Sequence, residues 1–199
     1  MLIGITGGIG SGKSTIAAKL VRRGFPVYDS DNEAKRIIIN NPAVRSQVET
    51  LFGSDVFQGD TYLTAKVAAQ VFAQPELLQR LNAIVHPAVR FDLQHWAKQQ
   101  TDFCFVESAI LFESGLNTLC NKTIYVDAPE DVRIARTLAR DHCTAEQVRA
   151  RIRQQDDNAR LLADIVIDND GNTSIKDLVD YFLSQLGKFG ENGHSTIQI

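Results

Sequence analysis

Residues 7–14 read Gly-Gly-Ile-Gly-Ser-Gly-Lys-Ser, and no other stretch of the chain narrows its possible folds as much. The octapeptide fits G-x-x-x-x-G-K-[ST], with Gly7, Gly12, Lys13 and Ser14 at the fixed positions. An apolar run, Leu2 to Thr6, precedes it, and a helix-like run, Thr15 to Arg23, follows. A strand that turns through glycines into a helix brings successive N–H groups to face one concavity. The positive end of the helix dipole points at the same place. The pattern therefore predicts a phosphate site built from Gly8, Ile9, Gly10, Ser11, Gly12, Lys13, Ser14 and Thr15. Lys13 would neutralise the β- and γ-phosphates of a nucleotide, and the Ser14 hydroxyl would bind Mg²⁺.

Further apolar runs that read as strands are Pro26–Tyr28, Phe103–Glu107, Thr123–Asp127 and Asp164–Ile167. Continuous apolar strands alternating with helical patterns indicate a parallel sheet covered on both faces. The expectation is an α/β fold with about five parallel strands flanked by helices. Ligands on such sheets bind at the carboxyl ends of the strands, so Thr6, Asp29, Glu107 and Asp127 are expected around one crevice. The long stretch from Ser30 to Asp102 exceeds what a crossover helix needs and reads as a helical insertion. Its patterns are Ala65–Phe72, Pro75–Val85 and Ala88–Gln100, with His86-Pro87 breaking the last two apart. A second helical region, 130–162, is rich in arginine, and Thr144-x-x-Gln147 has the form of a capping box. The tail, 187–199, is polar and is expected to be flexible.

Composition sets the outer limits. A net charge of −3 over 199 residues argues against wholesale binding of nucleic acid or membrane. No run approaches a membrane span, and a strand beginning at residue 2 leaves no room for a leader. Cys104, Cys120 and Cys143 lack metal-ligand spacing, which points to a reducing, cytoplasmic setting.

Beyond the loop, Asp29 and Asp31 follow the second strand and fall across the crevice from it. Carboxylates there suit either a cation or a proton taken from an attacking hydroxyl. The same residues also fit a helix start, with Ser30-x-x-Glu33 as a capping box. Glu107, at the end of a buried strand, has the position of a Mg²⁺-binding acid. Arg133, Arg136 and Arg140 share one helical face, where at least one is expected to meet phosphate.

Taken together these pieces resemble the dephospho-coenzyme A kinases of the P-loop kinase superfamily. The matching stretches are Gly4–Thr15, Val27-Tyr-Asp29-Ser-Asp31, Val71-Phe72, His86-Pro-Ala-Val-Arg90, Leu111-Phe112-Glu113, Val126-Asp127-Ala128, Arg136 with Arg140, Arg151-Ile-Arg-Gln-Gln155, and Ala163–Asn169. The resemblance implies phosphorylation of the ribose 3′-hydroxyl of dephospho-coenzyme A by ATP, with Mg²⁺. It implies Asp31 as the base toward that hydroxyl, with Lys13, Arg140 and Arg136 stabilising the transferred group. Asp29, Asp31, His86 and Arg90 would lie on the acceptor side. It also implies three parts: a nucleotide core (1–29, 103–129 and 163–186), an acceptor-binding insertion (30–102) and an arginine-bearing lid (130–162). A cytoplasmic monomer or small homo-oligomer with no nucleic-acid partner is expected. The sequence departs from the family's usual pattern at Ala65-Lys66, at Ala109 and at Arg133, where an arginine, a proline and a glutamine are common. A kinase of another small acceptor, a nucleoside monophosphate or a sugar acid, is the alternative. A GTPase-like switch is disfavoured, because Asn121-Lys122-Thr123-Ile124 lacks the guanine-reading aspartate.

Overall fold

The computed structural model describes residues 1–141, 143–155 and 158–190, the last four as backbone only. Strand β1 (Leu2–Gly7) leads through the glycine-rich loop into helix α1 (Lys13–Arg22), and β2 (Val27–Asp29) runs directly into α2 (Ser30–Asn40). Then come α3 (Pro42–Phe52), a short hairpin of β3 (Phe57–Gln58) and β4 (Thr61–Tyr62), α4 (Thr64–Ala73) and the long α5 (Glu76–Lys98). The chain re-enters the sheet with β5 (Cys104–Glu107) and β6 (Lys122–Asp127). It continues through α6 (Glu130–Arg140), α7 (Ala145–Arg153) and α8 (Asn158–Leu162) to β7 (Ile165–Asp168) and α9 (Ile175–Gly190).

The main sheet is five-stranded and all parallel, in the order β2-β5-β1-β6-β7. Central β1 is fully buried, and alternate residues divide the molecule into two cores. Ile3, Ile5, Phe105, Ile124 and Val126 face α1 and α9, meeting Ile16, Leu20, Val179 and Phe182. Leu2, Tyr28, Cys104 and Val106 face the other way, onto Ile37, Val85, Val89 and Leu93 of α2 and α5. The segment 30–102 thus supplies the second covering layer of the sheet.

Several expectations are corrected. Pro87 does not break a helix: α5 runs through it for 23 residues. Pro87 has no N–H to give to the carbonyl of Ala83, but both residues are exposed, so water can satisfy that carbonyl. The start of α2 is capped by Asp29, whose carboxylate accepts from the N–H groups of Asp31 and Asn32, rather than by a Ser30–Glu33 box. The β3–β4 hairpin was not expected, because two-residue strands carry too little alternation to be seen. The tail is helical to Gly190, and 191–199 lie outside the described residues. The Thr144–Gln147 capping box is present in both directions. No helix among the described residues is long and apolar enough to cross a membrane.

Candidate active site

The loop after β1 lies at the carboxyl edge of the sheet, beside the ends of β2, β5 and β6. Helix α1 begins without a capping side chain and without an acid in its first turn, so its N-terminus is left for an anion. Gly12 there has φ 100°, and a Cβ on it would strike the amide of Asn169. That amide donates to the carbonyl of Ser11 at 2.7 Å. The Lys13 ammonium donates to the carbonyl of Gly8 at 3.2 Å, curled over the loop. Burial pulls the Lys13 pKa down, while Glu107 and Asp31 oppose that shift.

Two carboxylates, Glu107 and Asp31, act on this ammonium, with Asp29 behind them. Glu107 at the end of β5 accepts a hydrogen bond from the Ser14 hydroxyl at 3.3 Å. Burial raises its pKa, and so do the neighbouring charges of Asp29 and Asp31. Asp31, in the first turn of α2, is likewise raised, by desolvation and then by Asp29. Asp29 itself is occupied as a cap: its carboxylate also accepts from the Asn32 amide at 2.8 Å. The Ser14 hydroxyl and the Glu107 carboxylate are hard oxygen donors suited to Mg²⁺, which takes few protein ligands and the rest from phosphates and water. No group of three or more His, Cys, Asp or Glu is gathered as a cage among the described residues.

A cleft of about 340 Å³ opens from Asp31 between α2, α5 and the segment after β5. Lys35, Tyr62, His86, Ser108 and Leu116 are among its walls. Burial lowers the His86 pKa, so the imidazole is neutral near pH 7. Arg90 is not on this wall: it donates to the Gly115 carbonyl at 3.0 Å and to the Thr118 hydroxyl at 3.2 Å, bracing the loop that carries Leu116. Lys66 pairs with Asp55 at 3.0 Å on the surface, away from the cleft. Lys35 was overlooked, although its spacing of four from Asp31 on a helix puts the two on one face.

The arginines of α6 divide their work. Arg136 donates to the carbonyls of Ser11 (3.4 Å) and Asn169 (3.1 Å) and to the Asn169 side chain, backing the loop from outside. Arg140 is exposed and held by both carboxylate oxygens of Asp141, at 2.8 and 3.0 Å. Arg133, one of the three arginines of that face and also a departure from the family's pattern, donates to the carbonyl of Ile9 at 2.9 Å. Nothing in the sequence ties residues 124 positions apart, and the same holds for Gln155 and Asn169.

A five-stranded parallel sheet with a phosphate loop leaving its central strand, and acids facing that loop from the end of β5 and the start of α2, defines a P-loop kinase. The chain belongs to the dephospho-CoA kinase family, whose pattern matches residues 1–175. A dephospho-CoA kinase of Porphyromonas gingivalis is 45% identical over 155 residues, 77% of either chain. The crystal structure of TT1252 from Thermus thermophilus superposes with a TM-score of 0.79 at 36% identity, covering 94% of this chain and 97% of that one. Dephospho-CoA kinase from Campylobacter jejuni, at 23% identity, shares the fold, with a TM-score of 0.66 over 97% of this chain and 98% of that one.

Proposed function

We infer that the chain carries out its family's reaction: ATP phosphorylates dephospho-coenzyme A, giving ADP and coenzyme A. We read the transfer as direct and in line to the ribose 3′-hydroxyl, with no covalent enzyme intermediate. The observation that carries this reading is the cleft that opens from Asp31, beside Lys13 and the phosphate loop. An acceptor lying there would present its hydroxyl to a carboxylate already poised to take a proton, since the raised pKa makes Asp31 a stronger base. The loop amides and Lys13 would hold the β- and γ-phosphates. Arg140, released from Asp141, is better placed than Arg136 to meet the transferred group, because Arg136 is committed to the loop's backing. Ser14 and Glu107 would hold Mg²⁺, which when bound offsets charge on the phosphates. Residues 30–102 would receive the acceptor, with His86 on the cleft wall and Arg90 bracing its far side. Residues 130–162 would serve as the lid. A cytoplasmic setting, a monomer or small homo-oligomer and no nucleic-acid partner complete the reading, the last of these supported by a net charge of −3.

The test is ADP release from Mg·ATP with dephospho-coenzyme A, AMP or gluconate as sole acceptor. A rate with dephospho-coenzyme A alone, yielding coenzyme A, is expected. A rate with another acceptor alone would keep the loop chemistry and overturn the acceptor.

A further inference from the structure

Ile9, at the tip of the phosphate loop, has both of its backbone groups taken by side chains from far along the chain. Its N–H donates to Gln155 Oε1 at 2.9 Å, and its carbonyl accepts from Arg133 Nε at 2.9 Å. The two side chains are joined to each other, Arg133 Nη2 donating to the same Gln155 Oε1 at 2.7 Å. Arg133 sits on α6, and Gln155 follows α7. A Cβ on Gly8 would strike the Arg133 guanidinium, and one on Gly10 would strike the Arg133 carbonyl and the Thr137 hydroxyl. Gly10 is thus required by the helix behind it, and Gly8 makes room for the Arg133 guanidinium where it now lies.

We propose that Gln155 and Arg133 form a latch on Ile9 that holds the tip of the phosphate loop in its nucleotide-receiving shape, so that nucleotide affinity is set in part from the α6–α7 side. The proposal rests on the reading of the loop as the ATP site. Bonding the N–H and the carbonyl of Ile9 holds the two peptide units that flank it, Gly8–Ile9 and Ile9–Gly10, and removes their freedom to turn. With Ile9 fixed, the amides of Gly10 to Ser14 start from one arrangement when a phosphate arrives. Losing that order at one residue costs about tenfold in affinity. Gln155 and Arg133 are positioning residues here, since they act through Ile9.

The chemistry of the latch supplies its own control. Gln155 uses only Oε1, as an acceptor from two donors, one of them cationic. A carboxylate can accept both bonds, so Gln155→Glu keeps the latch and Gln155→Ala removes it. The experiment is equilibrium titration of the full chain with ADP, alongside KM for ATP and for dephospho-coenzyme A and a thermal melt. Gln155→Ala is expected to raise the ADP Kd and the ATP KM about tenfold, with the acceptor KM and the melting temperature unmoved. Gln155→Glu is expected to stay within about threefold of the wild type. Arg133→Ala should act like Gln155→Ala, and the double variant should be no worse than either, because one latch is lost once. Wild-type affinity in Gln155→Ala would overturn the proposal. So would Gln155→Glu as weak as Gln155→Ala, or a loss spread equally over the acceptor KM. Failure of the wild type itself to bind ADP would instead overturn the reading of the loop on which the latch depends.

Discussion

Asp31 is set where its own ionisation is opposed, by partial removal from water and by the charge of Asp29. A raised folded pKa favours the protonated form, so it stabilises the fold below the ordinary aspartate value of 3.8 and is lost as pH rises through the raised value. At neutral pH the ionised side chain is therefore a cost to stability. Asp31→Asn should lose at least about 10²-fold in turnover, as expected for a base, while binding ATP normally. It should also melt higher than the wild type near pH 7, with the gap closing in acid. Calorimetry across pH checks the sign; a lower melting point at neutral pH would mark Asp31 as structural. Asp29→Asn removes the repulsion but keeps the cap, because Asn caps as well as Asp. The acid limb of kcat/KM should then move to lower pH, with little change in stability, and a limb that stays put would release Asp31 from the role of base. Lys13→Ala should cost on the order of 10² in turnover, from lost stabilisation of developing charge; steady-state rates at saturating ATP check it. Residues in the loop itself were legible in the sequence because their spacing is local. Asp29 carried two readings in the sequence, because a cap and an acceptor contact leave the same trace, an acid at a strand-to-helix step; its carboxylate does cap α2. Arg133, Gln155 and Asn169 were not legible as loop contacts, since only the closed sheet brings them to residues 9–12.

Strands and helices were read more easily than the turns between them. The five apolar runs correspond to the five sheet strands within a residue or two, because buried parallel strands are apolar on both faces. The break expected at His86-Pro87 failed for a physical reason. A proline penalises a helix through one missing bond and one crowded carbonyl, and both fall on the solvent face of α5, whose other side is fixed by Val85, Val89 and Leu93. Pro87→Ala should stabilise the protein by about 1–3 kcal/mol, the ordinary helix penalty for proline less the hydration of the Ala83 carbonyl. Urea denaturation measures this directly, and an unchanged midpoint would mean that the helix is already distorted around Pro87. At the junction of α2 and α3, Asn41 closes one helix and caps the next, its side chain accepting from Ala43 and Val44. That junction was hidden from periodicity because no loop separates the two.

On the scale of the molecule, the long segment between β2 and β5 was read as an insertion from its length and its helical patterns. That it is also a wall of the main core was not, because a sheet face does not declare which helices cover it. Residues of both sheet and insertion share one cluster, and Tyr28 of β2 packs at a tilt against Trp96 of α5, ring centres 5.4 Å apart, while its hydroxyl donates to Asp92 at 2.7 Å. Trp96 is the single tryptophan of the chain. Its fluorescence and the far-ultraviolet circular dichroism should report one coincident unfolding transition in urea. A tryptophan transition at lower urea would show that residues 30–102 come away first. The backing of the phosphate loop has a consequence in time. The loop is made well before Asn169, which lies 158 residues beyond Ser11, fills the space beside Gly12 and ties down Ser11. A growing chain on the ribosome therefore carries its most recognisable signature without its backing until the last strand of the sheet has joined.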